Sequence, residues 1–307
     1  MSAGIDLHAI ARQFGGEVYD GGRRWLGPGP GHNRKDRSLS VVLGHGGRAV
    51  VHSFSSRTTW QEGAQHLGIS DASTERLSNR EYERMRLERE RAAAKRHAER
   101  MAFCASVWSG TQPAEGSPVA DYLRSRSIFG QIPGVLRFHP AAPFGYPAAM
   151  SGKDHEPVPT ACMVALVQDA KGEPSGLHLT ALPSNWKPGV TVRRIMLGAI
   201  AGASCRLFEI GDDAELAAGE GVESCLSFAS LNGVPCWATL STANLKTFSS
   251  PSGLRRLVIA ADGDEAGLTA ARELAERASG RCEVVIAAAA DGLDWNDELQ
   301  GVANERP

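Results

Sequence analysis

From residue 207 onward, short apolar runs alternate with segments of helical character, and this alternation limits the possible folds more than any other feature of the chain. The runs at residues 215–219, 234–240, 256–261 and 282–289 are mostly apolar at successive positions, which is typical of strands buried on both faces. This order of elements predicts a parallel sheet flanked by helices. In such a sheet, functional residues lie beyond the carboxyl ends of the strands.

Acidic residues stand after three of these predicted strands. They are Glu220 and Glu223 after the first strand, Asp262 and Asp264 followed by Glu265 after the third, and Asp294 and Asp297 after the last. Carboxylates that meet at one sheet edge repel one another unless a cation lies among them, and ligand sets made only of oxygen favour hard ions such as Mg²⁺ or Mn²⁺. One such Asp is usually only a helix cap, but three acidic groups in one sheet favour a metal site.

These motifs resemble the Toprim domain of bacterial DNA primases, topoisomerases and some nucleases. The resemblance covers residues 207–299 and rests on Glu220–Gly221, on Asp262–Gly263–Asp264 and on the DWND sequence at residues 294–297. It implies a Rossmann-like sheet in which Glu220 and the aspartate pair are catalytic and bind metal ions together with the two later aspartates. Nucleotidyl transfer depends mainly on such charge neutralisation and on the positioning of phosphates.

Upstream segments extend the likeness to the small primases of phages, plasmids and other mobile elements. The strand–turn–strand pattern at residues 163–182 and the RRIMLG sequence at residues 193–198 look like the catalytic core that precedes Toprim. The resemblance implies contacts with nucleotide or template by residues around one cleft. These residues are Arg137, His178, Arg193, Arg194, Gly221, Gly263 and Asn296.

The resemblance therefore predicts a primase that synthesises short RNA primers on a single-stranded DNA template. It would use NTPs and Mg²⁺ or Mn²⁺, with a separate replicative helicase as a possible partner. Two alternatives stay open: a Toprim nuclease or phosphotransferase acting on nucleic acid, and a non-catalytic nucleic-acid-binding replication adaptor. A topoisomerase is disfavoured because it needs a further large domain with a nucleophilic Tyr, and only four Tyr occur in the chain.

The first 70 residues resemble the frame of the zinc ribbon with which such primases begin. Two β-branched runs at residues 38–43 and 48–54 flank a GHGG sequence and predict a hairpin. The family pattern would supply three Cys ligands here, but only His32 matches, so no zinc is expected. Basic and aromatic side chains of this module are candidates for single-stranded DNA binding, by phosphate contact and base stacking. They are Trp25, Arg34, Lys35 and Arg37.

The expected fold class is α/β, with a small α+β primase-core subdomain and a zinc-ribbon-like hairpin module ahead of the parallel sheet. The predicted segments are the hairpin module at 1–70, a long charged linker helix at 71–112, the primase-core subdomain at 113–206, Toprim at 207–300 and a tail at 301–307. Residues 1–150 carry 20 Lys and Arg against 14 Asp and Glu, whereas the rest carries 13 against 21. A basic front half suits a polyanion, although such an imbalance decides little alone.

Cysteine usage and hydropathy predict a cytoplasmic protein with no membrane partner. The six Cys include no CxxC pair, which favours reduced thiols over a disulfide framework or a cysteine-rich metal site. The longest apolar stretches, such as residues 282–290, are far shorter than the roughly 20 residues that a membrane span needs. The N-terminus lacks a basic region followed by an apolar core, so no signal peptide is predicted.

Overall fold

The protein divides into two compact units, residues 1–93 and residues 94–307. The computed structural model describes residues 5–44, 49–55, 57–69, 79–152, 154–182 and 192–305. The first eight residues of the predicted linker helix, 71–78, lie outside these ranges. Within the described ranges, every helix is too short or too polar to cross a bilayer.

The first unit is a four-stranded antiparallel sheet with a helix before it and one after it. Its elements are α1 (Leu7–Phe14), β1 (Glu17–Tyr19), β2 (Arg24–Gly27), β3 (Leu39–Leu43), β4 (Ala49–Ser53) and α2 (Trp60–His66). The strands are ordered β1-β2-β3-β4, so the predicted β3–β4 hairpin is confirmed. Asp6 caps α1, and Thr59 forms a capping box with Glu62 at the start of α2.

A long helix, α3 (Asn79–Ser109), follows. The uninterrupted run without Gly or Pro explains its length, because nothing breaks the helix before Gly110. Residues 91–100 are exposed on every side, as expected for a charged helix, whereas Cys104 and Val107 near its end are buried. This last part of α3 packs on one face of the sheet that comes next in the chain.

That sheet has five antiparallel strands in the order β5-β6-β7-β8-β9. The elements are β5 (Gln112–Pro113), α4 (Pro118–Ser125), β6 (Leu136–Pro143), α5 (Ala148–Ser151), β7 (Pro159–Gln168), β8 (Pro174–Ala181) and β9 (Arg194–Gly198). The predicted hairpin of β7 and β8 is confirmed, and its turn is held by the Asp169 carboxylate, which accepts bonds from the amides of Lys171 and Glu173.

The rest of the second unit is a parallel sheet in the order β11-β10-β12-β13 with helices on both faces. Its elements are β10 (Glu215–Gly219), α6 (Val222–Asn232), β11 (Cys236–Ala238), α7 (Thr242–Thr247), β12 (Arg256–Ala261), α8 (Glu265–Ala278), β13 (Glu283–Ala288) and α9 (Trp295–Glu305). The predicted α/β class is therefore confirmed. Helix α9 was not predicted, because its first residues belong to the last acidic motif and were assigned to the metal site.

Strand alternation sends neighbouring residues of the parallel sheet into two different cores. Ala217 and Val258 face a core that includes α6, whereas Leu216 and Leu257 face the core formed with α7 and α8. The first of these cores also contains Met163 of β7, so both sheets of the second unit share it. This shared core places β8 and β9 beside the carboxyl ends of the parallel strands.

The backbone also connects the two sheets directly. Cys205 pairs with Ala238 of β11 through two hydrogen bonds of 2.7 and 3.0 Å. The preceding residue, Ser204, pairs in the same way with Gln168 at the end of β7. A single short segment therefore bridges the antiparallel and the parallel sheet.

Candidate functional site

Three chain segments meet beyond the carboxyl ends of the parallel strands. Glu220 directly follows β10, Asp262 directly follows β12, and Asp294 lies in the connection from β13 to α9. The Gly263 amide donates to the Leu293 carbonyl at 2.8 Å, which ties that connection to the turn after β12. This hydrogen bond keeps the acidic motifs after β12 and β13 together at one edge of the sheet.

A cleft of about 180 Å³ opens at this edge. Predicted site residues that line it are His178, Arg194, Glu220, Gly221, Asp262, Asp294 and Asn296. Three further charged or polar residues that were not predicted as site residues also line it. They are Arg126, Glu223 and Ser224. The cleft therefore has an acidic side from the parallel sheet and a basic side that includes β9.

Asp262 is the carboxylate most altered by this environment. Its Oδ1 atom is buried without a hydrogen-bond partner. The pKa of Asp262 is raised to about 7, first by burial and then by the negative charges of Asp294, Glu220, Asp264 and Asp297, in that order of effect. The other four carboxylates are therefore near enough to Asp262 to act on it through their charge.

The other carboxylates already have structural partners. Asp264 caps α8 by accepting a bond of 2.6 Å from the Gly267 amide. Asp294 caps α9 by accepting bonds from the Asn296 and Asp297 amides, and Asp297 accepts one in return from the Asp294 amide. Glu220 accepts a hydrogen bond of 2.8 Å from the Thr242 hydroxyl. Since each carboxylate has two oxygens, a cap leaves capacity for a cation.

The donor chemistry of the acidic edge fits a hard divalent ion. All five predicted ligands are carboxylates, and the unpartnered Oδ1 of Asp262 is the kind of atom that such an ion would satisfy. In the described ranges, however, no three His, Cys, Asp or Glu side chains already form a ready metal-ligand group. Binding of Mg²⁺ or Mn²⁺ would therefore require the carboxylates to move closer to one another.

On the basic side, a buried carboxylate holds the arginine of the cleft. Arg194 Nη2 donates to Glu223 Oε1 at 3.1 Å, and the Tyr122 hydroxyl donates to the same oxygen at 2.6 Å. Burial alone would raise the pKa of Glu223, but the Arg194 charge and the Tyr122 hydrogen bond outweigh it and hold the pKa below its usual value. Nearby, burial lowers the pKa of His178 to about 4, so its imidazole is neutral.

Two of the predicted basic site residues lie away from the cleft. Arg193 stacks over the Phe144 ring at 4.8 Å, and Arg137 stacks over the Trp108 ring at 5.4 Å. Both aromatic rings belong to the cluster that α3 covers, on the other face of the antiparallel sheet. The expectation that Arg193 and Arg137 face the acidic site is corrected, because Arg193 directly precedes Arg194 at the start of β9 and alternation there, as along β6, turns the side chain away from the cleft.

Asn296 is in the cleft wall but is used structurally. It is 1% exposed, and its amide nitrogen donates to the Arg126 carbonyl and to the Ser227 hydroxyl at 2.8 and 3.0 Å. Gln300 donates to its amide oxygen at 2.9 Å. This placement favours a role in holding α9 against α6 over the predicted direct contact with nucleotide.

In the first unit, the structure corrects the role of Trp25. Its side chain is fully buried in the core and its Nε1 donates to the Gly15 carbonyl at 2.9 Å, so it cannot stack on a DNA base. Arg37 pairs with Glu17 at 2.8 Å, whereas Arg34 and Lys35 lie in the exposed loop before β3. His32 bonds to Asp36 and Ser38 through Nδ1, which is a local polar network in place of a zinc ligand set.

Sequence reasoning placed Glu223 in the first acidic group but missed its partners, Arg194 and Tyr122. The EGVES sequence carries no sign of this pairing. Tyr122 gave no signal at all, because it lies 101 residues from its partner in the chain.

Comparison with protein families identifies the parallel-sheet region. Residues 215–305 match the Toprim domain, which confirms the Toprim resemblance, and residues 98–207 match a domain of unknown function, DUF7146. Among curated proteins, none matches the chain. The second unit thus combines a Toprim domain with an upstream domain whose family has no assigned role.

Several solved structures of DNA primases are similar to the chain. A DnaG primase catalytic domain bound to ssDNA has a TM-score of 0.46 at 16% identity, covering 66% of this chain and 78% of that one. A DNA primase domain from Pseudomonas aeruginosa has a TM-score of 0.44 at 15% identity, with coverages of 65% and 74%. The zinc-binding and RNA polymerase domains of the Aquifex aeolicus primase have a TM-score of 0.39 at 15% identity, with coverages of 98% and 81%.

Proposed function

We propose that the chain is a primase-type nucleotidyltransferase that makes short RNA primers on single-stranded DNA from NTPs. The observation that carries this proposal is the meeting of Glu220, Asp262 and Asp294 with Arg194 in one cleft at the edge of a Toprim sheet. Carboxylates on one side suit divalent ions, and a guanidinium on the other suits a triphosphate. A replicative helicase is proposed as a separate partner.

The residues of the cleft have distinct roles in this proposal. Glu220, Asp262 and Asp264, with Asp294 and Asp297, would hold Mg²⁺ or Mn²⁺, which neutralises phosphate charge during transfer. Asp262 must lose its proton before it can act as a ligand, because its pKa is raised to about 7. Arg194 binds and orients the triphosphate, a task for which a guanidinium with five donors is well suited.

The backbone at the strand ends adds to phosphate binding. Gly221 is the N-cap residue of α6 and lines the cleft, so the first amides of that helix lie beside the bound nucleotide. Gly263 leaves no room for a side chain and keeps the turn after β12 close to the β13 connection. Position 263 therefore requires glycine for this close approach of the chain to itself.

A primer-synthesis assay tests the proposal. The full chain is incubated with single-stranded DNA, labelled NTPs and Mg²⁺ or Mn²⁺. Wild-type protein and an Asp121→Ala control, which removes an exposed carboxylate paired with Arg124 on α4, should give primer ladders. Asp262→Ala and Glu220→Ala should lower the yield at least about 100-fold, because stabilisation of the developing charge is lost.

The other outcomes discriminate the alternatives. DNA cleavage without NTPs, lost in Asp262→Ala, would support the nuclease or phosphotransferase. DNA binding with neither product would support the adaptor. Strong primer synthesis by both Asp262→Ala and Glu220→Ala would contradict the assignment of the site.

A further inference from the structure

Glu223 is the most deeply buried charged side chain of the cleft wall. It lies in the first turn of α6, and its side chain is 7% exposed. One of its oxygens, Oε1, accepts hydrogen bonds from the Tyr122 hydroxyl of α4 and from Arg194 Nη2 of β9. Hydrogen bonds to a single carboxylate oxygen therefore connect α6 with α4 and with β9.

A buried carboxylate of this kind is costly unless its charge is compensated. Here Arg194 and Tyr122 hold the pKa of Glu223 below its usual value against the effect of burial, so the side chain is ionised at neutral pH. The reverse also holds: burial lowers the pKa of Arg194, but the charges and hydrogen bonds of Glu223 and Tyr122 together outweigh it and keep that pKa above its usual value. The two groups form a fixed ion pair whose buried member is Glu223.

Arg194 is the member of the pair that reaches solvent. Its side chain is 40% exposed and lines the same cleft as Glu220, Asp262 and Asp294. A guanidinium has five N–H donors in a planar arrangement, so fixing one terminal nitrogen fixes the direction of the others. A long side chain would otherwise lose more conformational entropy when it binds an anion. The ion pair thus presents a preorganised cation to the cleft.

We propose that Glu223 is a positioning residue that orients Arg194 towards the triphosphate of the incoming nucleotide, with Tyr122 fixing Glu223 in turn. This rests on the proposed function, because it assumes that a nucleotide occupies the cleft. Glu223 itself contacts neither substrate nor metal in this proposal. A purely structural role would instead make Glu223 important for stability and irrelevant to nucleotide affinity.

A double-substitution cycle tests the coupling. The dissociation constant of ATP is measured in the presence of Mn²⁺ for wild type, Glu223→Gln, Arg194→Ala and the double variant, together with KM and kcat for primer synthesis. Each single substitution should weaken ATP binding about tenfold, the size expected for disturbing one charge-assisted contact. The double variant should bind no more weakly than Arg194→Ala, because Glu223 acts only through Arg194.

Two further variants separate positioning from stability. Tyr122→Phe removes only the hydroxyl and should raise KM severalfold with kcat little changed. Glu215→Gln is the matched control. Like Glu223, Glu215 has a mostly buried carboxylate paired with an arginine, here Arg256 at 2.9 Å. Glu215, however, lies at the amino end of the parallel sheet, away from the cleft. This substitution should leave ATP affinity unchanged. All variants are compared at a temperature at which thermal unfolding curves find them folded.

The results distinguish the two proposals. If wild type neither binds ATP with Mn²⁺ nor makes primers, the proposed function and the positioning role both fall. If wild type does both and Glu223→Gln binds ATP normally, or weakens binding further in the Arg194→Ala background, the positioning role alone is overturned.

Discussion

Asp262 and Asp264 are the same residue type two positions apart, yet their surroundings give them different chemistry. Asp264 caps α8 through the Gly267 amide, whereas Asp262 is buried with one oxygen unpartnered and a pKa raised to about 7. The DxD pattern was sufficient to predict both as ligand candidates. The raised pKa of Asp262 depends on burial and on charges from distant segments, and the local sequence carries no information about these.

The raised pKa predicts a specific pH dependence of stability without metal. The folded-state pKa of Asp262, about 7, exceeds the ordinary aspartate value of 3.8, so the folded protein binds the extra proton between these values. Stability should therefore fall as pH rises from about 4 to about 7 and level off above that, as far as this group contributes. Calorimetric unfolding in EDTA should find a smaller fall between pH 5 and 7 for Asp262→Asn than for wild type.

Excess Mn²⁺ is the second arm of this measurement. A bound cation takes the place of the proton, so it should raise the unfolding temperature of wild type more at pH 8 than at pH 5. Equal pH profiles for wild type and Asp262→Asn would contradict the electrostatic account of this residue.

At the element scale, the close contact between two connections shapes the acidic edge. A Cβ atom on Gly263 would lie 2.0 Å from the Ala290 carbonyl oxygen, which no backbone can tolerate without moving. Because position 263 has no side chain, the turn after β12 can pack directly against the connection after β13. This contact keeps Asp262 and Asp294 in the same cleft.

Gly263→Ala should separate these connections. We expect a loss of about 1–3 kcal/mol in the free energy of unfolding, the usual cost of overpacking, together with weaker Mn²⁺ binding. Gly301→Ala is the control, because no atom lies within 4 Å of a Cβ at this position in α9, and it should be neutral or stabilising by up to about 1 kcal/mol. Chemical denaturation of both variants measures the difference, and equal stabilities would refute the steric argument.

Most elements of the parallel sheet were predictable because buried strands have an apolar pattern that does not depend on distant contacts. The exceptions have local causes. Strand β11 is only Cys236–Ala238, shorter than the apolar run at residues 234–240, because its neighbour β10 pairs with it over three positions. Helix α9 was missed because its cap, Asp294, has the same residue type as a metal ligand.

At the scale of the whole molecule, charge is divided unevenly along the chain. The first 150 residues have six more basic than acidic residues by the counts given above, and the remainder has eight more acidic ones. Within the first unit, the ion pair of Arg37 with Glu17 removes one cation from the predicted DNA-binding set. Arg34 and Lys35 remain the best candidates for phosphate contact.

The salt dependence of single-stranded DNA binding tests these two residues. Each phosphate contact contributes roughly 0.7 to the slope of log affinity against log salt, so Arg34→Ala with Lys35→Ala should lower the slope by about 1.4. The control is Arg272→Ala with Arg281→Ala, which removes the same charge from exposed positions of the second unit. If both pairs change the slope equally, net charge and not this loop governs binding.

The arrangement of the cleft could not have been predicted at this scale. Its basic wall depends on Tyr122 meeting Glu223 across 101 residues, and its shared core depends on β7 packing against α6. Motif recognition supplied the acidic side because Glu220, Asp262 and Asp294 each follow a strand of one sheet. The facing side required the fold, since residue type alone does not distinguish Arg193 from Arg194.

The Cys205–Ala238 bridge has a consequence for modularity. Because one segment is hydrogen-bonded to both sheets and both contribute to one core, the match to Toprim at residues 215–305 does not mark an autonomous cassette. If residues 215–305 alone were transferred to another protein, the apolar side of the sheet that faces the shared core would be exposed. Strand β11 would also lose its pairing with Cys205. Chimaeras that exchange this parallel sheet should therefore carry the upstream domain along, with crossover points placed before it.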